Sequence, residues 1–305
     1  MRLSKHVPDL SALDLLLSVI ELGSLGRAAQ AHGISQPSAS SRIRYLEQLV
    51  GAPVLRRTSL GSVPTSAGET VVTLAEDVVA AARRLDAGIT RIRTDRDGHL
   101  KIAASQTVVE YLLPRWLKEL STRSPQSAVT LEACNSADVG AAVAAGRADL
   151  GFLESPDLSP DLTSTTVAWD ELLVVAPPQH PWVRRTAITI DELAAGTLIH
   201  REVGSGARTS FENAMREHLP DWRPNTLFEL SSTPAIKNAV VSGLAPAVLS
   251  SLAVTRELRS GSLASVTVSG LRIRRSLLAV WPVGQRLTGP ARQLCAIAVR
   301  TRRAR

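Results

Sequence analysis

The stretch SQPSASSRIRYLEQLVGAPVLRR, residues 35–57, gathers side chains suited to the hydrogen-bonding edges and phosphates of a nucleic acid. Gln36, Ser38 and Ser40 crowd a helix start around Pro37, Arg42 and Arg44 follow within two turns, and Arg56 and Arg57 come after the stop at Gly51. Glutamine can bond adenine through two hydrogen bonds, small hydroxyls approach base edges closely, and arginine holds phosphates. Ile43, Leu46 and Leu49 recur at helical spacing, so one face is built for burial and another carries the polar groups. Alone, the pattern also fits an ordinary surface helix with a capped start and a solvated basic face. Its surroundings discriminate.

Three short helices are predicted before residue 51. Leu10, Leu13, Leu16, Leu17 and Ile20 mark the first, capped by Asp9 and ended by Gly23. Ser24 caps the second, where the pair Ala28-Ala29 allows another helix to approach closely, and Gly33 ends it. Ser35 caps the third, with Pro37 in the first turn, where a missing N–H does no harm. The short, glycine-containing turn between the last two is that of a helix-turn-helix. Two extended runs around Ser59 to Ser62 read as a small β-hairpin, or wing, with Arg56 and Arg57 on its first arm.

A new helix is expected from Ser66, with Ser66 and Glu69 at capping-box spacing. Val71, Ala75, Val78, Ala82, Leu85, Ile89 and Ile92 then form a heptad seam. A lone helix of roughly 27 residues, ~40 Å long, is poorly stable, so the seam needs a partner. That partner is either its own domain or a second copy. The second copy is the better reading, because it sets two such helix-turn-helix units side by side.

At 305 residues the chain is long enough for two or three cores, and 44% hydrophobic with 21% charged residues is an ordinary globular balance. No run of about 20 apolar residues could span a membrane, and the first residues lack a secretory pattern, so no membrane association and a cytoplasmic location are expected. Cys134 and Cys295 stand far apart and the six histidines are scattered, which points to no disulfide framework and no metal site. The net charge of +7 favours polyanions, although four arginines fall in the final six residues, RTRRAR, and weaken that inference.

Beyond about residue 96, strands alternate with helices: LKIAAS, YLLPRWLKEL, AVTLEAC, DVGAAVAAG and ADLGFLE, then ELLVVAP, GTLIH, a helix from near Ala207, TLFEL, a helix near Pro234, APAVLS, SLLAVWP and a helix from Gly289 to Val299. This is α/β architecture with a mainly parallel sheet, arranged as two similar lobes whose cleft suits a small molecule. No GxSxG, phosphate loop, dinucleotide fingerprint or paired-carboxylate frame is present, so no enzyme and no cofactor are expected. Hydroxyls do cluster at strand-to-helix turns, in Ser105-Gln106-Thr107, Asn135-Ser136 and Ser231-Ser232-Thr233. Such turns suit a small anion such as a carboxylate. A simple N-cap role accounts for most hydroxyls of this kind. Aromatic residues at 3% argue against a large aromatic ligand.

Read together, these residues resemble the LysR-type transcriptional regulators. The carriers of the resemblance are Glu21, Gly23-Ser24, Ala28-Ala29, Ser35-Gln36-Pro37, Ser40, Leu46-Glu47, Arg57 and Thr65 to Gly68. Further on, AGRADLGF, VVAPPQHPW, GSGAR and VVSGLAPAVL occur in the family's order. Leu16 and Leu25 depart from the usual phenylalanines and His32 from the usual leucine, and the ring of His32 is expected to sit half exposed at a helix end.

The resemblance implies a winged helix-turn-helix DNA-binding domain at 1–65, a linker or dimerisation helix at 66–95, and a two-lobed, periplasmic-binding-protein-like α/β effector domain at 96–305. DNA contacts are expected from Gln36, Pro37, Ser38, Ser40, Arg42, Arg44, Arg56 and Arg57. The effector is expected at Ser105 and Thr107, with Gln106, Asn135, Ser136, Glu202, Gly204 and Thr233 as further candidates. The implied partners are double-stranded DNA, a small anionic effector, further copies as a homodimer or homotetramer, and RNA polymerase if the protein activates. The rival reading is a small-molecule-binding or transferase-like α/β protein whose N-terminal helices serve only assembly.

Overall fold

The computed structural model describes residues 4–58, 61–94, 99–154 and 158–302, except the side chains of 57, 84, 87 and 90–94. The chain divides into two compact units, Met1–Ile89 and Thr90–Arg305.

In the first unit α1 (Leu10–Leu22), α2 (Leu25–Ala31) and α3 (Gln36–Val50) precede the hairpin β1 (Leu55–Thr58) and β2 (Gly61–Pro64), and α4 (Ser66–Thr94) follows. The predicted caps are present: Asp9, Ser24 and Ser35 accept from the amides of Ala12, Arg27 and Ser38, and Gly23 and Gly51 close α1 and α3 in the left-handed region. The buried face of α1 is Ala12, Leu13, Leu15, Leu16 and Val19, whereas Leu10 is exposed. His32 sits deeper than expected, its Nε2 2.8 Å from the Ser18 hydroxyl on α1.

The wing is anchored to the end of α1. Ser62 N donates to Gly23 O at 3.0 Å, and a Cβ on Gly61 would fall 2.3 Å from that carbonyl oxygen. Glu47 of α3 holds the wing's entrance, its carboxylate accepting from Val54 N at 2.9 Å. Ser66 does not form the expected capping box. Thr65, one residue earlier, accepts from Gly68 N at 3.0 Å and donates to Pro53 O at 2.6 Å. Gly68 is there because a side chain would meet Val54 O at 2.0 Å.

Of the predicted α4 seam, Val71 and Ala75 turn inward and pack against α1–α3, together with Val72 and the buried Val79, which lie off the seam. Leu74, Val78, Leu85 and Ile89 remain exposed. Ile92 lies outside the described side chains.

The second unit carries β3 (His99–Ser105), α5 (Gln106–Tyr111), α6 (Leu113–Arg123), β4 (Ala128–Cys134), α7 (Ser136–Ala144), β5 (Leu150–Leu153), β6 (Leu162–Ala176) and α8 (Ile190–Ala195). It continues with β7 (Leu198–Arg201), α9 (Gly206–His218), β8 (Thr226–Leu230), α10 (Thr233–Val241), β9 (Ala247–Ser250), α11 (Ser251–Ser260), β10 (Ala264–Val266), β11 (Ile273–Pro282) and α12 (Gly289–Arg302). The run YLLPRWLKEL is two helices rather than one, because Pro114 cannot donate to the preceding turn and the chain breaks at Leu112.

The sheet order is β4-β3-β5-β11-β6-β9-β7-β8, with β10 on β6. Within each lobe the short strands are parallel, β3 with β4 and β5, β7 with β8 and β9. The long strands β6 and β11 run antiparallel and pass from one lobe into the other. Each lobe has its own core. One holds Leu100, Trp116, Phe152 and Leu294, the other Leu172, Leu198, Phe211 and Ile273. Among the described residues no helix is long and apolar enough to cross a membrane.

Candidate nucleic-acid interface and effector cleft

Helix α3 buries Ala39, Ile43 and Leu46 and leaves Gln36, Pro37, Ser38 and Arg44 exposed, with Ser40 half-buried. Residues four apart share a helix face, so Gln36, Ser40 and Arg44 form one stripe. Ser38 is partly engaged, its hydroxyl 2.8 Å from that of the cap Ser35. Arg42 leans toward the start of α1. The Asp9 carboxyl there is held below the ordinary carboxylate range by the Ser11 hydroxyl, then the Ala12 amide, with the Arg42 charge adding to them. Arg44 and Arg56 are exposed and form no ion pair with a described residue. The side chain of Arg57 lies outside the described residues.

Between the lobes, the predicted hydroxyls fall into two clusters. In the first lobe, the Ser105 hydroxyl does not cap α5 but donates to the Glu154 carboxylate. Glu154 N in turn donates to the Ser136 hydroxyl at 3.3 Å. Thr107 accepts from Arg275 Nη2 at 3.4 Å. Asn135 acts as a cap, accepting from Asp138 N at 2.9 Å, and two residues on Ala137 N donates to Gly204 O of the other lobe at 3.2 Å. In the second lobe, Arg201 grips Glu202 through Nε at 2.9 Å and Nη2 at 3.0 Å and reaches Thr233 at 3.4 Å. No hydrogen bond between described residues joins Thr233 or Glu202 to the first cluster. The half-buried Gln106 side chain makes none with a described residue.

The sequence reading missed the charged centre. Arg275 on β11 is 6% exposed, Asp170 on β6 5%, and Glu154 after β5 3%. Arg275 binds Asp170 through Nε at 2.9 Å and Nη2 at 2.7 Å, and its Nη1 lies 3.4 Å from Glu154 Oε1. Ser250 and Ser251 complete Asp170 at 2.9 and 3.1 Å. One guanidinium therefore faces two carboxylates, and its Nη1, ion-paired but not aligned for a hydrogen bond, is a buried donor without a hydrogen-bond acceptor. Buried unpaired donors are costly and mark candidate ligand positions. Only the paucity of charge inside strands hinted at this cluster. ELLVVAP follows Asp170, and SLLAVWP follows Arg275. Arg208 serves structure, bonding Glu212, Glu229 and Arg201 O. Burial pushes the thiols of Cys134 and Cys295 up to about 11, so both stay protonated near neutral pH.

Comparison with known proteins agrees with this geometry. The family model described as "Bacterial regulatory helix-turn-helix protein, lysR family" matches residues 10–69, and "LysR substrate binding domain" matches 93–303. An uncharacterized HTH-type transcriptional regulator of Mycobacterium tuberculosis is 39% identical over 299 residues, 95% of each chain. The regulatory domain of CcmR from Synechocystis, solved in complex with 2-PG, superposes with a TM-score of 0.61 at 24% identity, over 67% of this chain and 97% of that one. Full-length OxyR from Pseudomonas aeruginosa gives 0.57 at 21% identity, over 96% and 100%. With both family models matched and a relative 39% identical over 95% of its length, the chain belongs to the LysR family and is a DNA-binding transcriptional regulator with an effector-binding domain.

Proposed function

We propose that α3 reads a partly palindromic DNA site in the major groove, and that a small anion held between the lobes changes how two copies engage it. The observation that carries the first half is the uncovered stripe Gln36–Ser40–Arg44 on a helix whose opposite face is buried. In this reading Gln36, Pro37 and Ser40 meet base edges, while Ser38, Arg42, Arg44, Arg56 and Arg57 hold backbone. Supporting an anionic effector are the acceptor-free Nη1 of Arg275 and the hydroxyls of Ser105, Thr107 and Ser136. A small molecule in the CcmR regulatory domain, which shares the fold, supports a ligand in this one. The effector candidates thus comprise Ser105, Gln106, Thr107, Asn135, Ser136, Glu202, Gly204 and Thr233, to which Glu154 and Arg275 are added. The domain plan is 1–65, 66–95 and 96–305, and action on DNA implies residence in the cytoplasm.

Fluorescence anisotropy on DNA from immediately upstream of the protein's own gene, against a scrambled duplex at two salt concentrations, tests the reading. The native duplex is expected to bind tighter, and the preference to persist at the higher salt. Gln36→Ala should cost about 1–3 kcal/mol of discrimination at one base pair. Arg44→Ala should weaken both duplexes alike and reduce the slope of log K against log salt by about 0.9 for each copy bound. Equal, salt-erased binding to both duplexes would end the proposal.

The exposed residues Leu74, Val78, Leu85 and Ile89 lie along α4 at spacings of one and two turns, as a seam between two copies requires. Leu85→Glu, placing a charge in that seam, should shift the protein toward monomer in sedimentation equilibrium at micromolar protein. An unchanged oligomer would exclude α4 from the interface.

A further inference from the structure

Strand β11 pairs with β6 along its whole length, but on its other side β5 reaches only Leu278, Ala279 and Val280. Successive residues of an antiparallel strand send their N–H and C=O groups to opposite edges. Residues 273–277 therefore offer backbone donors and acceptors on the side away from β6. No backbone hydrogen bond between described residues reaches them there. Natural sheets cover or blunt such an edge, because it is a template for another strand.

This edge is one wall of a groove of about 380 Å³. Residues 272–276 all line it, which sets the groove along the edge of the strand, since one face would supply only every second residue. The opposite wall is α9. Its Phe211 and Met215 enter the core with Ile273, while Ser210, Asn213, Ala214 and Glu217, on one face of the helix, line the groove. Five strand residues span about 17 Å, room for an extended segment of the same length.

The side chains of the groove are uncommitted. Ser210, Asn213, Glu217 and the exposed Arg274 make no hydrogen bond with a described residue. Arg272 is held by Glu171 through Nε at 2.8 Å and Nη2 at 3.1 Å. The strand wall is therefore basic, and among the lining residues the one acid, Glu217, stands on the α9 wall. Arg274 and Ser276 share a face of β11, and Trp169, the cross-strand partner of the small Ser276, lines the groove with its ring 66% exposed.

We propose that this groove docks an extended, acidic segment of a partner protein, which adds to β11 as a further strand. Main-chain hydrogen bonds to the open edge give affinity, and alternate side chains give the choice of partner. Those side chains are an acidic residue against Arg274 and, two positions away, an apolar residue against the Trp169 ring. A second copy of this chain fits worse. Edge pairing of two β11 strands, centred on the groove, would set Arg272 and Arg274 against their counterparts, and like charges oppose such pairing. The groove is also distinct from the effector cleft. Of the cleft residues only Arg275 borders it, and that guanidinium already faces Asp170 and Glu154.

Fluorescence anisotropy of the full chain with a labelled hexapeptide of threonine and valine, bearing one glutamate and two residues on one phenylalanine, tests the site. The peptide should bind saturably. Replacing its glutamate by lysine should weaken it about tenfold, the effect of removing one charge-assisted hydrogen bond. Arg274→Glu should reverse that order, and because Arg274 is exposed an unchanged melting temperature confirms that the variant folds. A strand pairs through one edge only, so methylating alternate peptide amides in one register should abolish binding and in the other leave it intact. Hydrogen exchange should slow at amides of residues 273–277 in the complex. Absence of saturable binding, indifference to Arg274→Glu, or full binding by both methylated peptides would overturn the proposal. So would slowing confined to β4 or β8, the strands at the two ends of the sheet.

Discussion

Arg275→Ala is expected to destabilise the two-lobed unit by about 3–5 kcal/mol, because it strands Asp170 and Glu154 as buried carboxylates without their shared cation. For a domain of this size the transition should fall by roughly 6–20 °C in a circular-dichroism melt. Arg275→Met combined with Asp170→Asn and Glu154→Gln should recover more than half of that loss, since similar volume is kept and no charge is left unpaired. The comparison separates two ideas. If the cluster exists for stability, the neutral triple variant keeps every function of the chain; if it exists for ligand binding, the triple variant folds but no longer responds to its effector. Arg275→Ala melting with the unaltered protein would show that the three groups are not a coupled buried set.

Gly206→Ala should open the cleft. An ideal Cβ at Gly206, in the first turn of α9, would stand 1.6 Å from the carbonyl oxygen of Glu154 and 2.7 Å from its Cγ, in the opposite lobe. Backbone on both sides leaves no flexible side chain to give way, so even a methyl group must separate the lobes or distort α9. Overpacking of this kind costs about 1–3 kcal/mol. The Ala137 amide reports the opening, because it donates to Gly204 O across the same boundary at 3.2 Å. Its hydrogen exchange should be faster in Gly206→Ala, while amides of α1–α3 exchange as before. Full protection at Ala137 with unaltered stability would mean that the lobes adjust without parting.

Much of the DNA-binding unit was legible in the sequence, because its signals are local. Asp9, Ser24 and Ser35 cap helices that begin one residue later, and Gly23 and Gly51 end them at a positive φ that disfavours other residues. Periodicity also located most strands and helices of both lobes, but not α8, α11, β10 or the first half of β6. It did not resolve which neighbour covers which face. Of the expected α4 seam, Val71 and Ala75 turned out to pack on their own unit, beside Val79, which lies off the seam, and the cap of α4 moved to Thr65 because Pro53, twelve residues back in the chain, offers it an acceptor.

The polar centre of the effector domain was decided only by tertiary structure. Asp170 and Arg275 are 105 residues apart and meet because β6 and β11 pair antiparallel in a register that sequence spacing does not encode. Ser105 stands where a cap would, and a local reading assigns it that role, but folding brings Glu154 within reach of its hydroxyl and the cap bond is not made. Sequence by itself thus determined most of the helices and strands, since capping, periodicity and turn chemistry act over a few residues. Which charges share a buried site, and which strand keeps an open edge, depended on long-range strand pairing and packing, where no local rule reaches.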